Sequence, residues 1–133
     1  MRLIIGGFAQ GKLEWLRKQQ FVPQEKIADG ENCTLQEAVS AQVLNHLHLF
    51  IRGLLKEQKD ARQIIAGLID QNPDLIIICD EIGGGIVPID AFERLWREET
   101  GRICCTLAQK AQRVDRVFCG VGTVIKQNEE LQK

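Results

Sequence analysis

The chain has 133 residues, 44% of them hydrophobic and 26% charged, which suits one globular domain able to bury a core without disulfide or metal staples. Its 17 basic and 18 acidic side chains leave a formal charge of −1, which excludes broad electrostatic attraction to nucleic acid as the basis of function. The longest wholly apolar run, Leu75-Ile76-Ile77-Ile78-Cys79, is far too short to span a membrane.

The N-terminal apolar stretch is broken by Gly6-Gly7 and then by Lys12, which does not suit a signal peptide, and we expect a cytoplasmic protein. Five cysteines stand at 33, 79, 104, 105 and 119 with no C-x-x-C pair and no histidine at ligand spacing. That pattern argues against zinc. Cys79 and Cys119 sit in apolar strand-like runs, where a thiol acts as a small buried hydrophobe.

In chain order, Arg2-Leu3-Ile4-Ile5 predicts a buried strand running into Gly6-Gly7-Phe8-Ala9-Gln10-Gly11-Lys12-Leu13. From Gly6 the spacing is G-x-x-x-x-G-K, a phosphate loop in which backbone N–H groups surround phosphate oxygens and Lys12 adds positive charge. The eight residues from Gly6 to Leu13 are therefore candidate nucleotide contacts, and a helix starting near Gly11 adds the positive end of its dipole. Leu13 stands where a serine or threonine hydroxyl would ligate Mg²⁺, and an isobutyl group cannot. The plainer alternative is an ordinary glycine-rich strand-to-helix turn.

A short helix continues through Gln20 and stops before Pro23. Lys26-Ile27-Ala28-Asp29 predicts a second strand ending in a carboxylate. Thr34-Leu35-Gln36-Glu37 is a capping-box pattern, after which apolar residues from Leu35 to Leu55 recur at helical spacing and predict one long amphipathic helix, interrupted near Gly53. His46 and His48 fall inside that helix on different faces, so packed or exposed histidines are favoured over a catalytic pair. Ala61 to Ile69 renews the helical period, and Asn72-Pro73 ends it.

Leu75-Ile76-Ile77-Ile78-Cys79-Asp80-Glu81 is a continuous β-branched run that suits a central parallel strand buried on both faces. Two acids at its end resemble an element that orients Mg²⁺ or activates the attacking oxygen beside a phosphate loop; the alternative is a charged strand end meeting solvent. Ligands in open α/β sheets bind at the carboxyl ends of strands, where Gly6 to Lys12 and Asp80-Glu81 would both lie. Gly83-Gly84-Gly85 predicts a flexible loop. Asp90-Ala91-Phe92-Glu93 predicts a capped helix that bends at Gly101 and resumes from Arg102 to Val114. Arg116 to Cys119 reads as a strand, Val124-Ile125 as a short edge strand, and Gln127 to Lys133 as a polar tail following one domain over 1–126. Strands alternating with helices give an α/β fold with a mostly parallel sheet flanked by helices.

Together Asp80-Glu81-Ile82-Gly83-Gly84-Gly85-Ile86-Val87-Pro88, Gly101-Arg102-Ile103 with Leu107-Ala108, Gly120-Val121-Gly122-Thr123-Val124-Ile125-Lys126 and the Gly6-Gly7/Gly11-Lys12 loop resemble a known family. It is the bifunctional adenosylcobinamide kinase/adenosylcobinamide-phosphate guanylyltransferase family of cobalamin biosynthesis. The specific part is the G-I-V-P loop. The chain departs from the family at Leu13, at Ala9-Gln10, at Cys104-Cys105, and in lacking a guanylylated-histidine segment between the loop helix and the next strand. The resemblance implies a P-loop fold, binding of ATP or GTP with Mg²⁺, a corrinoid acceptor and a homo-oligomer, a trimer in that family. Under it Lys12 and Glu81 are the catalytic candidates, Glu81 as general base or metal orienter. Asp80, Glu81 and Asp29 are the candidate metal carboxylates. The expected activity is kinase-like phosphoryl transfer without guanylyl transfer, the alternative a relative that binds nucleotide or corrinoid without turnover.

Overall fold

A computed structural model describes residues 1–86 and 89–128. Val87 and Pro88 of the G-I-V-P loop and residues 129–133 of the expected tail lie outside the described residues. Six strands, β1 (Arg2–Gly6), β2 (Ile27–Asp29), β3 (Val43–Asn45), β4 (Ile76–Asp80), β5 (Arg113–Phe118) and β6 (Val121–Gln127), form one sheet in the order β2-β3-β4-β1-β5-β6. The first five run parallel and β6 returns antiparallel to β5. The helices are α1 (Lys12–Gln19), α2 (Leu35–Val39), α3 (Leu47–Lys56), α4 (Ala61–Gln71) and α5 (Ala91–Lys110). This is the mostly parallel α/β architecture expected from the alternation of strand and helix patterns.

Successive residues of a strand face opposite sides of the sheet, and the two cores divide accordingly. Leu3, Leu44, Ile77 and Cys79 pack beneath α2 to α5, whose contribution includes Leu47, Ile51, Ile65, Leu68 and Leu107. Ile4, Val43, Ile76 and Ile78 face the other way, against Leu16 of α1 and Val22. That second face also carries a fully buried Asp115, held by Arg2 at 2.9 Å and Arg113 at 3.0 Å, with Trp15 lying across the Arg2 guanidinium.

Thr34 caps α2 as the sequence pattern predicts, accepting the Glu37 amide at 3.1 Å while Glu37 accepts the Thr34 amide at 2.8 Å. The long helix expected from Leu35 to Leu55 does not exist. It ends at Val39, and Val43-Leu44-Asn45 instead forms β3 between β2 and β4, pairing Val43 with Ile27 on one side and Ile76 on the other. Three residues are too few for a period-two pattern to stand out from a helical one, and a slot with a partner on each side decides between them.

The helix break expected near Gly53 is not present, because α3 runs through Gly53, and α5 likewise continues through Gly101. The latter helix stops at Lys110, so Arg113 and Val114 belong to β5 rather than to the helix. The edge strand β6 spans seven residues and includes Gln127. Cys79 is buried as expected, but Cys119 is exposed at the β5–β6 turn, where φ is 51°. Its apolar neighbours point outward: Phe118, Val121 and Ile125 are all exposed.

Gly101 sits in mid-helix with open space where a Cβ would be. Gly101→Ala is expected to raise the unfolding free energy by about 0.5–1 kcal/mol. Ile77→Ala, in a fully buried position, is expected to lower it by roughly 2–5 kcal/mol. Urea denaturation measures both.

Candidate functional site

The site is assembled by strand pairing. Because β1 and β4 are adjacent and parallel, their carboxyl ends finish together, with Gly6 opposite Asp80, and the Glu81 amide extends the pairing by donating to the Gly6 carbonyl at 2.9 Å. The glycine loop and the acid pair therefore share one end of the sheet.

Gly6 is required by close approach, since a Cβ there would lie 2.5 Å from the Val117 carbonyl oxygen. Gly11 occupies the left-handed region at φ 82° and starts α1 with no side-chain cap. Ala9 is also left-handed, at φ 57°, an uncommon state for a residue with a Cβ and one found at functional turns. Gln10 ties the loop to the β5–β6 turn: its side-chain oxygen accepts the Cys119 amide at 2.7 Å and its carbonyl accepts the Gly120 amide at 2.9 Å. Phe8 projects from the loop, 83% exposed. Leu13 packs against the core of the second face, away from any role as a metal ligand.

Lys12 is buried, 7% exposed. Its Nζ donates to the Gly7 carbonyl at 2.7 Å and lies 2.7 Å from Asp80 Oδ1. A buried ammonium needs such partners, because desolvation without them is costly. The other carboxylate oxygen, Asp80 Oδ2, is 3.3 Å from His48 Nε2, while His48 Nδ1 accepts the Asp80 amide at 3.3 Å.

His48 is itself buried, 5% exposed, and its carbonyl accepts the Trp96 indole N–H at 2.7 Å. Burial pushes the His48 imidazole below its ordinary value; Asp80 pulls the other way, and the charges of His46 and Lys12 help keep the ring neutral. His46 starts α3 in the left-handed region at φ 60°, its ring edge-on to that of His48 with centroids 5.7 Å apart. His46 Nδ1 lies 2.9 Å from Asp29 Oδ1. Burial pushes the Asp29 carboxyl up, but the Glu31 amide and His46 outweigh it and hold the group below the usual carboxylate range.

Asp29, His46, His48, Asp80 and Lys12 thus form a continuous line across the carboxyl edge, from β2 to β1. Sequence reasoning placed the two histidines inside one helix; the signal that β3 exists is the polar Asn45-His46 following apolar Val43-Leu44.

The three candidate metal carboxylates do not gather. Asp80 faces Lys12, Asp29 ends β2 two strands away, and Glu81 turns toward β5, where Arg116 grips it at 2.9 and 3.2 Å. Among the described residues no group of three or more His, Cys, Asp or Glu side chains is arranged to hold a metal ion. Mg²⁺ bound to a nucleotide takes one or two protein carboxylates and completes its shell with phosphate and water, a demand Asp80 can meet alone. Beyond β4 the glycine loop is fastened from α5: Arg97 donates to the carbonyls of Gly83 at 2.7 Å, Gly84 at 3.1 Å and Ile86 at 2.6 Å. Arg94 does the same for Ile89. Ile86 and Ile89 are 92% and 94% exposed. No helix among the described residues is long and apolar enough to cross a membrane.

No curated protein matches the chain. A family model described as cobinamide kinase / cobinamide phosphate guanyltransferase matches residues 12–125. The match opens on the loop lysine, with β1 and the glycines before Lys12 preceding it, and it takes in both histidines, the Asp80-Glu81 pair and β6 as far as Ile125. A phosphate-type loop facing a strand-end acid, on a sheet of this order and with most of its length matched by that model, places the chain in the cobinamide kinase / cobinamide phosphate guanyltransferase family of cobalamin biosynthesis.

Proposed function

We propose that the protein transfers a phosphoryl group from ATP or GTP to the hydroxyl of a cobinamide, without guanylyl transfer. The observation that carries this reading is the 2.7 Å contact between Lys12 Nζ and Asp80 Oδ1 at the paired ends of β1 and β4. It brings a phosphate-binding cation and a metal-orienting anion to one point, the two charges that phosphoryl transfer needs beside the transferred group.

In this reading Lys12 gives up the Gly7 carbonyl to phosphate oxygens, and the loop amides from Gly7 to Leu13 hold the rest of the β- and γ-phosphates. Bound Mg²⁺ neutralises charge developing on the transferred group. Asp80 would hold that ion when it is bound, standing in for the hydroxyl that Leu13 lacks. Glu81, released from Arg116, accepts the acceptor hydroxyl's proton or orients the metal, and Asp29 is a further carboxylate on the same edge. The exposed Ile86 and Ile89 offer an apolar surface beside the site, suited to a corrinoid. The histidine that becomes guanylylated in the family has no counterpart between α1 and β2, which is why the second activity is left out.

Two observations favour a second reading, a relative that binds nucleotide without turnover: Leu13 packs against the core, and Glu81 is held by two nitrogens of the Arg116 guanidinium. We further propose a homo-oligomer, a trimer as the family resemblance implies, using the apolar side chains exposed on the β5–β6 hairpin.

Incubation with labelled ATP or GTP, Mg²⁺ and adenosylcobinamide should yield phosphorylated acceptor. Lys12→Ala should reduce its rate roughly a hundredfold or more, and Glu81→Gln by at least about a hundredfold. Absence of product, with nucleotide still raising the melting temperature by mass action, would select the binding protein instead. In light scattering the wild type should run above the monomer mass, and Ile125→Lys should shift it to monomer.

A further inference from the structure

We propose that His48 is a positioning residue for the phosphate loop: its imidazole spans the amide and the carboxylate of Asp80 and so holds Oδ1 toward Lys12. The inference rests on the reading of Lys12 and Asp80 as the nucleotide site and adds to it a residue that neither the glycine-loop pattern nor the family likeness singles out.

Both ring nitrogens are directed at one residue. Nδ1 accepts the Asp80 amide, so a neutral ring carries its proton on Nε2, which faces Asp80 Oδ2 at 3.3 Å. An aspartate side chain is free to turn about its own bonds, and a partner on Oδ2 removes that freedom while leaving Oδ1 for Lys12 at 2.7 Å. The ring in turn cannot swing away. Trp96 of α5 lies beside it, with centroids 6.4 Å apart, and anchors its carbonyl at 2.7 Å. His46 closes another side.

The charged groups around the ring are Asp80 on β4, Lys12 on α1, and the His46–Asp29 pair at the ends of β3 and β2. Across Trp96, Arg52 stacks on that indole at 4.7 Å and is neutralised by Glu93. Packing alone would be served equally by a phenylalanine; the two-nitrogen span would not.

The chain has two histidines, so their ring nitrogens can be resolved by ¹⁵N NMR on the wild-type protein. We expect His48 as the Nε2–H form near neutral pH; the Nδ1–H form overturns the inference. In the apo protein, His48→Phe should speed acetylation of Lys12 by acetic anhydride, read by mass spectrometry, several-fold over wild type. It should also weaken binding of non-hydrolysable ATP and GTP analogues with Mg²⁺ about tenfold, while His48→Gln, which keeps a donor, should recover most of the loss.

Unchanged acetylation and affinity in His48→Phe, with Lys12→Ala abolishing binding, would overturn the role of His48 and leave the nucleotide site standing. If Lys12→Ala binds both analogues as wild type does, the nucleotide reading fails, and the ring tautomer and Lys12 acetylation still decide whether His48 positions Asp80. Should His48→Phe not fold, the wild-type tautomer together with the affinity of His48→Gln decides: Nε2–H with near-wild-type affinity supports the inference, and any other result overturns it.

Discussion

The parallel pairing of β1 with β4 is the constraint from which the rest follows. Strand neighbours lie about 5 Å apart, so setting Gly6 opposite Asp80 fixes the distance between the backbone that can cradle a phosphate and the carboxylate that can face it. The continuous apolar run of Ile76, Ile77, Ile78 and Cys79 suits β4 to the interior of the sheet, because only a strand covered on both faces can bury all four side chains. With β4 in the middle, β1 and β3 take its two edges, and their carboxyl ends supply the glycine loop on one side and the histidines on the other.

Charge at that edge is then settled by burial. Lys12 is nearly enclosed and cannot stand unpaired; Asp80 answers it, and the neutral His48 occupies the second oxygen without cancelling the charge. Removing one member of such a buried pair leaves the other desolvated and alone, which ties the integrity of the site to that of the fold. The Glu81–Arg116 pair belongs to a different regime. Both side chains are well exposed, 37% and 54%, where an ion pair contributes little and exchanges readily with solvent. Asp80 is thus built into the fold, whereas Glu81 is held only by an exposed ion pair.

Backbone shape and side-chain chemistry divide at the glycine loop. Gly6 supplies a close approach and Gly11 a left-handed turn, whereas Leu13 offers no side-chain oxygen and packs, half-buried, against the core. Backbone geometry suffices to hold phosphate, since N–H groups do that work, but metal positioning depends on side-chain oxygen.

Much of this was legible in the residues themselves. The glycine loop, the buried strand ending in acids, the Thr34 capping box, the helix ending before Pro73 and the overall α/β alternation each rest on local chemistry: a steric need for glycine, a side chain reaching its own backbone, a run too apolar for any exposed face. The elements that escaped were those whose local signal is ambiguous. Val43-Leu44-Asn45 fits a helical period as well as a strand, and the exposed glycines 53 and 101 are ordinary breakers that a well-packed helix tolerates. The company each acid keeps was equally hidden, because Asp29 with His46, Asp80 with Lys12 and His48, and Glu81 with Arg116 are separated by between 17 and 68 residues in the chain. Sequence by itself determined which residues could carry phosphate chemistry, since that depends on the chemistry of each position. Only the tertiary structure decided which of them meet, since that depends on strand order, and strand order is chosen by the packing of distant segments.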